Sequence, residues 1–403
     1  VTAVTDLVVS PEAMEPSRLR SALARAWPDV ADPATVRVVR APGRVNLIGE
    51  HTDYNEGLVL PAAIGLEIRL AVLPTDDRRV EIELLASGER GGFALDDIPP
   101  ASGTWIDYPA GVAWSLGEAN VAPSGFRAVL ASTLPVASGL SSSAALELAS
   151  AWALLDPPDL AVHGLDGMAL ARLAQRAENE HVGVRSGLMD QFASSLGRAG
   201  SAMLLDCRSL EHRPVAMPLD SHALVVCDSG SPRRLGSSEY NARRAQCEAA
   251  VAAIAAEVPG VTALRDVDLP LLERFADRLD ETILRRAEHV IRENDRVIAA
   301  TGALEAGDME RVRELFAASH ASLRDLYEVS SAELDALVEL ATAVAGTAAR
   351  MTGAGFGGCT VNLVPREALD RFRDTVVAGY RARTGMEARV LVVDAVDGAG
   401  VMR

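Results

Sequence analysis

Residues Gly43–Tyr54 read G-R-V-N-L-I-G-E-H-T-D-Y, and no other stretch of the chain restricts its folding as strongly. The apolar Val45, Leu47 and Ile48 are followed at once by Glu50, His51, Thr52 and Asp53, with Arg44 in front. Adjacent hydrogen-bonding side chains make poor core, because each needs its own partner once buried. The apolar residues read as a buried turn, and the polar ones then line a cleft. A surface of that kind suits a small molecule covered in hydroxyls.

The chain contains no lysine, so all 39 basic residues are arginine. A Walker-type phosphate lysine, a Schiff-base lysine and a lysine general base are thereby excluded. The net charge of -17 argues against a nucleic-acid partner or an anionic membrane surface. Phosphate chemistry must therefore rest on backbone amides, hydroxyls, arginine and a metal ion. A length of 403 residues suggests two lobes. Gly197, Gly200 and Pro214 interrupt the pattern, which places the lobes at 1–205 and 206–403. Cys207, Cys227, Cys247 and Cys359 form no C-x-x-C pair, so neither a zinc site nor a disulfide framework is expected. Asp6, Glu12 and Glu15 break up the start of the chain, and no run approaches the ~18 apolar residues of a membrane span. The chain reads as soluble, reduced and cytoplasmic.

Val36–Val39, Ile68–Leu73 and Val80–Leu84 read as strands. Ser141–Leu155 and Asp166–His181 read as helices, the second with Met168, Leu170, Leu173 and Ala177 at helical spacing. Ala223–Cys227 is a strand, followed by a long helix over Ser237–Val258 that Pro259-Gly260 stops. Helical patterns dominate Leu269–Ala345, and Thr360–Val364 and Val390–Asp394 read as strands.

Three further segments carry chemistry. In Pro135–Ala145, P-V-A-S-G-L-S-S-S-A-A, a strand-like run leads through Pro135 and Gly139 to serines that open a helix. Small residues let backbone approach a ligand, and free amides at a helix start favour an anion. The serine hydroxyls can reach phosphate oxygens or a magnesium ion. A serine-rich helix cap without ligand is the plain alternative. Gly353–Gly358, G-A-G-F-G-G, packs a core badly and reads as a close backbone approach or an unusual turn. In Gly187–Phe192, G-L-M-D-Q-F, Asp190 follows a glycine and stands where a helix begins, which by itself reads as a surface helix cap. Glu178 lies twelve residues earlier, as a solvated helix residue or a Mg²⁺ ligand.

Together these segments resemble the galactokinases, within the superfamily of galactokinase, homoserine kinase, mevalonate kinase and phosphomevalonate kinase. Ser237–Glu248 (S-S-E-Y-N-A-R-R-A-Q-C-E), Ser322–Val329 (S-L-R-D-L-Y-E-V) and Met351–Cys359 (M-T-G-A-G-F-G-G-C) extend the likeness over nearly the whole chain. The resemblance implies a two-lobed α+β fold with its active site in the cleft between lobes. It implies ATP- and Mg²⁺-dependent phosphorylation of D-galactose at the C1 hydroxyl, the opening step of galactose catabolism. Glu50, His51, Asp53, Gly187, Asp190 and Tyr240 would bind the sugar. Ala137, Ser138, Gly139, Leu140, Ser141, Ser142 and Ser143 would wrap the ATP phosphates, with Gly353 and Gly355 closing from the second lobe. Ser143 and Glu178 would hold Mg²⁺. Asp190 would act on the C1 hydroxyl as base or orienter, and Arg44 would stabilise the transferred phosphoryl group.

Ser186, Ala354 and Asp228–Ser231 depart from the family pattern, the last on the approach to Tyr240. The rival readings are an N-acetylgalactosamine kinase and a non-catalytic sensor of galactose and ATP. The expected partners are small molecules alone, with a monomer as the working form and a weak dimer as the alternative.

Overall fold

The computed structural model describes residues 8–28, 35–135, 138–231 and 236–402. In chain order the first half carries α1 (Pro16–Ala26), β1 (Arg37–Asn46), β2 (Leu58–Val59), β3 (Pro61–Thr75), β4 (Arg79–Leu84), β5 (Arg90–Ala94), α2 (Asp107–Glu118) and β6 (Gly125–Ser132). It continues with α3 (Ser142–Leu154), α4 (Gly167–Arg176), α5 (Met189–Leu196), β7 (Ser201–Asp206) and β8 (His212–Ala216). Then follow β9 (His222–Asp228), α6 (Gly236–Ala255), α7 (Leu269–Glu273), α8 (Glu281–Ala306), α9 (Met309–Asp325) and α10 (Ala332–Thr342). The chain finishes with β10 (Ala348–Thr352), β11 (Cys359–Pro365), α11 (Leu369–Thr384), β12 (Arg389–Val393) and β13 (Gly400–Val401).

Three sheets organise these elements: β13-β1-β3-β6-β4-β5, β10-β11-β9-β12 and β2-β7-β8. The first is covered on both faces, so its central strands are apolar along nearly their full length. Alternate side chains point to opposite sides. Val38, Ala71 and Val129 meet Leu19 and Leu23 of α1, while Val39, Leu70, Val72 and Leu130 join the core that includes Val112 of α2 and Leu148 of α3. The last strand, β13, returns antiparallel to β1 and so joins the sheet built by the first half. The second sheet packs Val225, Phe372 and Val376 into its own core beneath α10 and α11.

The strand read from Val36–Val39 runs further, to Asn46. Its register against β3 shifts between Pro42 and Gly43. Proline cannot donate to the ladder, and a bulge at that point bends the strand and re-aims the residues beyond it. Arg44 and Val45 therefore belong to a strand end, and only Leu47 and Ile48 lie in the buried bend after it. The helix read over Asp166–His181 also divides. α4 ends at Arg176, and Ala177–Val182 continue as a π-turn that stops at Gly183 with φ 89°. Such turns insert a residue into the helical ladder and often mark functional sites. Here it turns Glu178 inward, where it is buried.

Candidate active site

The bulge in β1 delivers Arg44 to the centre of the molecule. It is 4% exposed, and its Nε and Nη2 both contact Asp190 Oδ1, at 2.8 and 2.7 Å. Its Nη1 donates to the carbonyl of Gly139 at 2.6 Å. Asp190 is the second residue of α5, and Leu188 stands at the cap. The Asp190 carboxylate is thus free of capping duty and is partly open, with 27% of its side chain exposed.

Asp53 lies against Gly187. A Cβ on that glycine would overlap the Asp53 carboxylate, so only glycine fits there. The backbone amides of Tyr54 and Met189 donate to Asp53. Burial, followed by the neighbouring charge of Asp190, pushes its carboxyl up to about 6. Tyr240 on α6 receives the same influences: burial first, then Asp53 and Asp190, raise its hydroxyl well above the ordinary range, and it hydrogen-bonds the Gly187 backbone. Asp53, Gly187, Asp190 and Tyr240 are therefore one cluster, drawn from three segments of the chain.

Glu50 and His51 are placed differently. Glu50 is 1% exposed. Its Oε2 accepts from Asn46 Nδ2 at 2.9 Å and faces Arg350 at 2.5 Å, while its Oε1 accepts the Gly353 amide at 2.9 Å. His51 adopts a left-handed backbone, φ 62°, with Nδ1 2.8 Å from the Tyr54 hydroxyl and Nε2 3.2 Å from the Ala354 carbonyl. Both residues thus engage the glycine loop, a connection the sequence does not display. Arg350 is fully buried, and its Nη1 also donates to the carbonyl of Leu47 at 3.0 Å. Removing a buried partner leaves the other charge uncompensated. Arg350→Met is expected to destabilise the protein by about 3–5 kcal/mol, read as a lower urea midpoint. An unchanged midpoint would show that the pair does not hold the two segments together.

The serine loop opens α3 without a cap. Ser141 takes the cap position in a left-handed conformation, φ 61° and ψ 47°, and makes no side-chain capping bond. Its hydroxyl is buried and has no partner among the described residues. Ser138 turns back to the carbonyl of Pro135 at 2.7 Å, and Gly139 has φ 83°. Leu140 is buried, with its carbonyl 3.1 Å from the Arg44 amide. Ser142 and Ser143 form the first turn of the helix. Ala137 lies outside the described residues. A serine cap without ligand would have shown its hydroxyl bonded to the helix amides. The amides are instead left available to an anion.

Glu178 receives hydrogen bonds from Ser186, Ser143 and, at 2.9 Å, Gln191 Nε2. Burial raises its carboxyl above the ordinary range. Sequence reasoning missed its neighbour Glu147 on α3, which is wholly buried, accepts from the same Gln191 nitrogen at 2.9 Å and keeps Oε1 without a partner among the described residues. The available signal was a lone charged residue in a helix of alanine, leucine, serine and tryptophan. Among the described residues no group of three or more His, Cys, Asp or Glu could hold a metal by itself. One buried carboxylate with serine hydroxyls suits a hard cation that takes its remaining ligands from phosphates and water, as Mg²⁺ does.

Gly353 and Gly355 both have φ 81°, and a Cβ on Gly355 would meet the Val329 carbonyl. The departure at Asp228–Ser231 is also accounted for in part. Asp228 is buried, pairs with Arg389 at 2.5 Å and accepts the Gly230 amide at 2.9 Å, so it ties β9 to β12. No disulfide joins the described cysteines.

Comparison with known proteins accords with this geometry. A galactokinase galactose-binding signature matches residues 30–74, a GHMP kinase N-terminal domain residues 107–198 and a GHMP kinase C-terminal domain residues 300–382. A galactokinase from Roseiflexus sp. is 45% identical over 364 residues, covering 90% of this chain and 92% of that one. One from Chloroflexus aggregans is 46% identical over 91% of this chain and 93% of its own. The crystal structure of Lactococcus lactis galactokinase complexed with galactose superposes with a TM-score of 0.89 at 36% identity, covering 95% of this chain and 98% of that one. A mevalonate kinase from Methanococcus jannaschii shares the fold, with a TM-score of 0.64 at 17% identity. At that identity and coverage the chain belongs to the galactokinases, within the GHMP kinases.

Proposed function

We propose that this chain transfers the terminal phosphoryl group of ATP to the C1 hydroxyl of D-galactose, giving α-D-galactose 1-phosphate, with Asp190 and Arg44 at the reacting oxygen. The observation that carries this assignment is the Arg44 contact set. One guanidinium reaches both the Asp190 carboxylate and the Gly139 carbonyl of the serine loop. It thereby sits between a group suited to the acceptor hydroxyl and a loop suited to phosphates.

Both Arg44 contacts fall on Oδ1 of Asp190, so Oδ2 is the oxygen that accepts from the C1 hydroxyl. Asp53 and Tyr240 take other sugar hydroxyls, and Gly187 keeps its backbone close enough to join them. Glu50 and His51 order the sugar side of the cleft through the glycine loop. The amides of Ser138–Ser143 cradle the phosphates, together with Gly353 and Gly355 from the other side. Phosphoryl transfer asks for alignment and charge neutralisation, and with lysine absent Arg44 is the fixed positive charge at the centre. Ser143 and Glu178 would hold Mg²⁺, which supplies further neutralisation of the phosphate charge when bound. The contained site and the scattered exposure of large apolar side chains support a monomer, and cysteines without C-x-x-C spacing fit a cytoplasmic setting.

The test is ADP release with Mg-ATP and, separately, galactose, N-acetylgalactosamine, glucose, arabinose and mevalonate. Turnover on galactose is expected. Turnover mainly on N-acetylgalactosamine would replace the substrate, and binding of galactose and ATP without ADP release would make the chain a sensor.

Asp53 gives the site a pH dependence. With its carboxyl at about 6, kcat/KM for galactose falls as pH drops through that value and the acceptor for sugar hydroxyls becomes protonated. The stability effect has the opposite sign. The native carboxyl holds its proton more tightly than the unfolded one, so its contribution is complete below the ordinary value of 3.8 and is lost as pH rises through about 6. Asp53→Asn is therefore expected to raise stability at pH 7, on the order of 1–3 kcal/mol, while weakening galactose binding. Thermal unfolding at pH 7 and galactose titration check the two effects, and a destabilised variant would show that Asp53 is not strained by burial.

A further inference from the structure

Four side-chain groups lie in one hydrogen-bonded line that ends on the glycine loop. Cys247 Sγ is 3.2 Å from the Tyr327 hydroxyl, which is 2.7 Å from the Tyr54 hydroxyl. Tyr54 is 2.8 Å from His51 Nδ1, and His51 Nε2 is 3.2 Å from the Ala354 carbonyl. The carbonyl can only accept, so Nε2 carries a proton and donates to it. In the neutral ring Nδ1 then accepts from Tyr54, Tyr54 from Tyr327, and Tyr327 from Cys247. The direction of every bond follows from the last one. His51 is held in a left-handed backbone that non-glycine residues seldom adopt, so it needs surrounding contacts to stay there.

A second tie runs beside the first. Arg243 donates to the Tyr327 and Glu328 carbonyls at 2.8 and 2.9 Å, and its guanidinium lies 5.6 Å from the Phe356 ring centre. The Phe356 amide donates to the Val329 carbonyl at 2.8 Å. The neighbouring Glu50 accepts the Gly353 amide. Consecutive residues of the sugar segment, Glu50 and His51, thus grip consecutive residues of the glycine loop, Gly353 and Ala354. Tyr327 stands behind both segments and is fully buried.

We propose that Tyr327 and Tyr54 are positioning residues that, through His51, couple the sugar side of the cleft to the glycine loop, so that galactose and nucleotide bind synergistically. The proposal rests on the sugar and phosphate assignments made above. Each ligand restricts a segment that the hydrogen-bonded line ties to the other, and coupling of this kind is reciprocal.

The experiment is galactose titration by calorimetry of the whole chain, alone and with a saturating non-hydrolysable ATP analogue and Mg²⁺. The wild-type Kd is expected to tighten about fivefold or more with the analogue. In Tyr54→Phe and Tyr327→Phe, which keep the rings, that ratio is expected to fall towards one, and the double variant to match Tyr54→Phe alone. Cys247→Val removes the outermost donor together with the contact of Cys247 to the Asn55 side chain, and is expected to lower the ratio partly, which keeps the test open if a tyrosine variant fails to fold. A purely structural role would lower thermal stability and leave the ratio unchanged. An unchanged ratio in the variants, or a wild-type ratio of one, overturns the coupling. Absence of galactose binding by the wild type would overturn the substrate assignment instead.

Discussion

Asp190→Asn is expected to lower kcat by about a thousandfold while galactose binding stays measurable. Asparagine keeps the size of the side chain and one carbonyl oxygen for Arg44, so the fold and the guanidinium position persist. What disappears is the second carboxylate oxygen as an acceptor for the C1 hydroxyl. With two donors of Arg44 already on Oδ1, that acceptor has no substitute nearby other than Asp53, which the backbone amides of Tyr54 and Met189 already engage. Single-turnover ADP release and calorimetric galactose titration separate the two quantities. Near-normal kcat would remove Asp190 from the reaction, and lost galactose binding would reduce it to a sugar ligand. If Asp190 and Arg44 act as one unit, adding Arg44→Met to Asp190→Asn costs far less than the product of the single effects.

Gly187→Ala is expected to raise the galactose KM by about a hundredfold or more with the ATP KM little changed. Gly187 is not among the glycines with positive φ, so alanine introduces no backbone strain of its own. The added methyl has one consequence, overlap with the Asp53 carboxylate. Either Asp53 leaves the cluster or the loop carrying Met189 and Asp190 retreats, and both movements disturb the sugar site. Thermal unfolding serves as the control, since a folded variant with altered KM isolates the local effect. A galactose KM equal to that of the wild type would show that Asp53 and Gly187 do not frame the sugar.

Much of this site is legible in the residues alone. A polar run directly after Leu47 and Ile48 reads as a cleft lining, yet Glu50, His51 and Thr52 are buried, because each finds an internal hydrogen-bond partner, and Asp53 alone of the four is partly open. The serine loop is readable as a strand–loop–helix turn, and α3 begins within one residue of its expected start. Absent lysine directs attention to Arg44, which does lie beside both Asp190 and the serine loop. Other features are hidden for identifiable reasons. That Ser141 adopts a left-handed backbone and makes no capping bond with its hydroxyl is not readable from the local sequence. The π-turn at Ala177–Val182 has no signature in helical spacing, so Glu178 could equally have faced solvent.

Residue types and short spacings were enough to settle which chemistry this protein can carry: hydroxyl recognition, phosphate handling without lysine, and the family to which it belongs. Those properties are local, and a linear reading reaches them. The pairing of the polar groups is not local and came only with the folded chain. Glu50 meets Arg350, Asp53 meets Gly187, and His51 reaches Ala354, each pair separated by more than a hundred residues. A buried polar group must find a donor or acceptor somewhere, but its own sequence neighbourhood does not say where, because the closing of the cleft brings that partner from another segment.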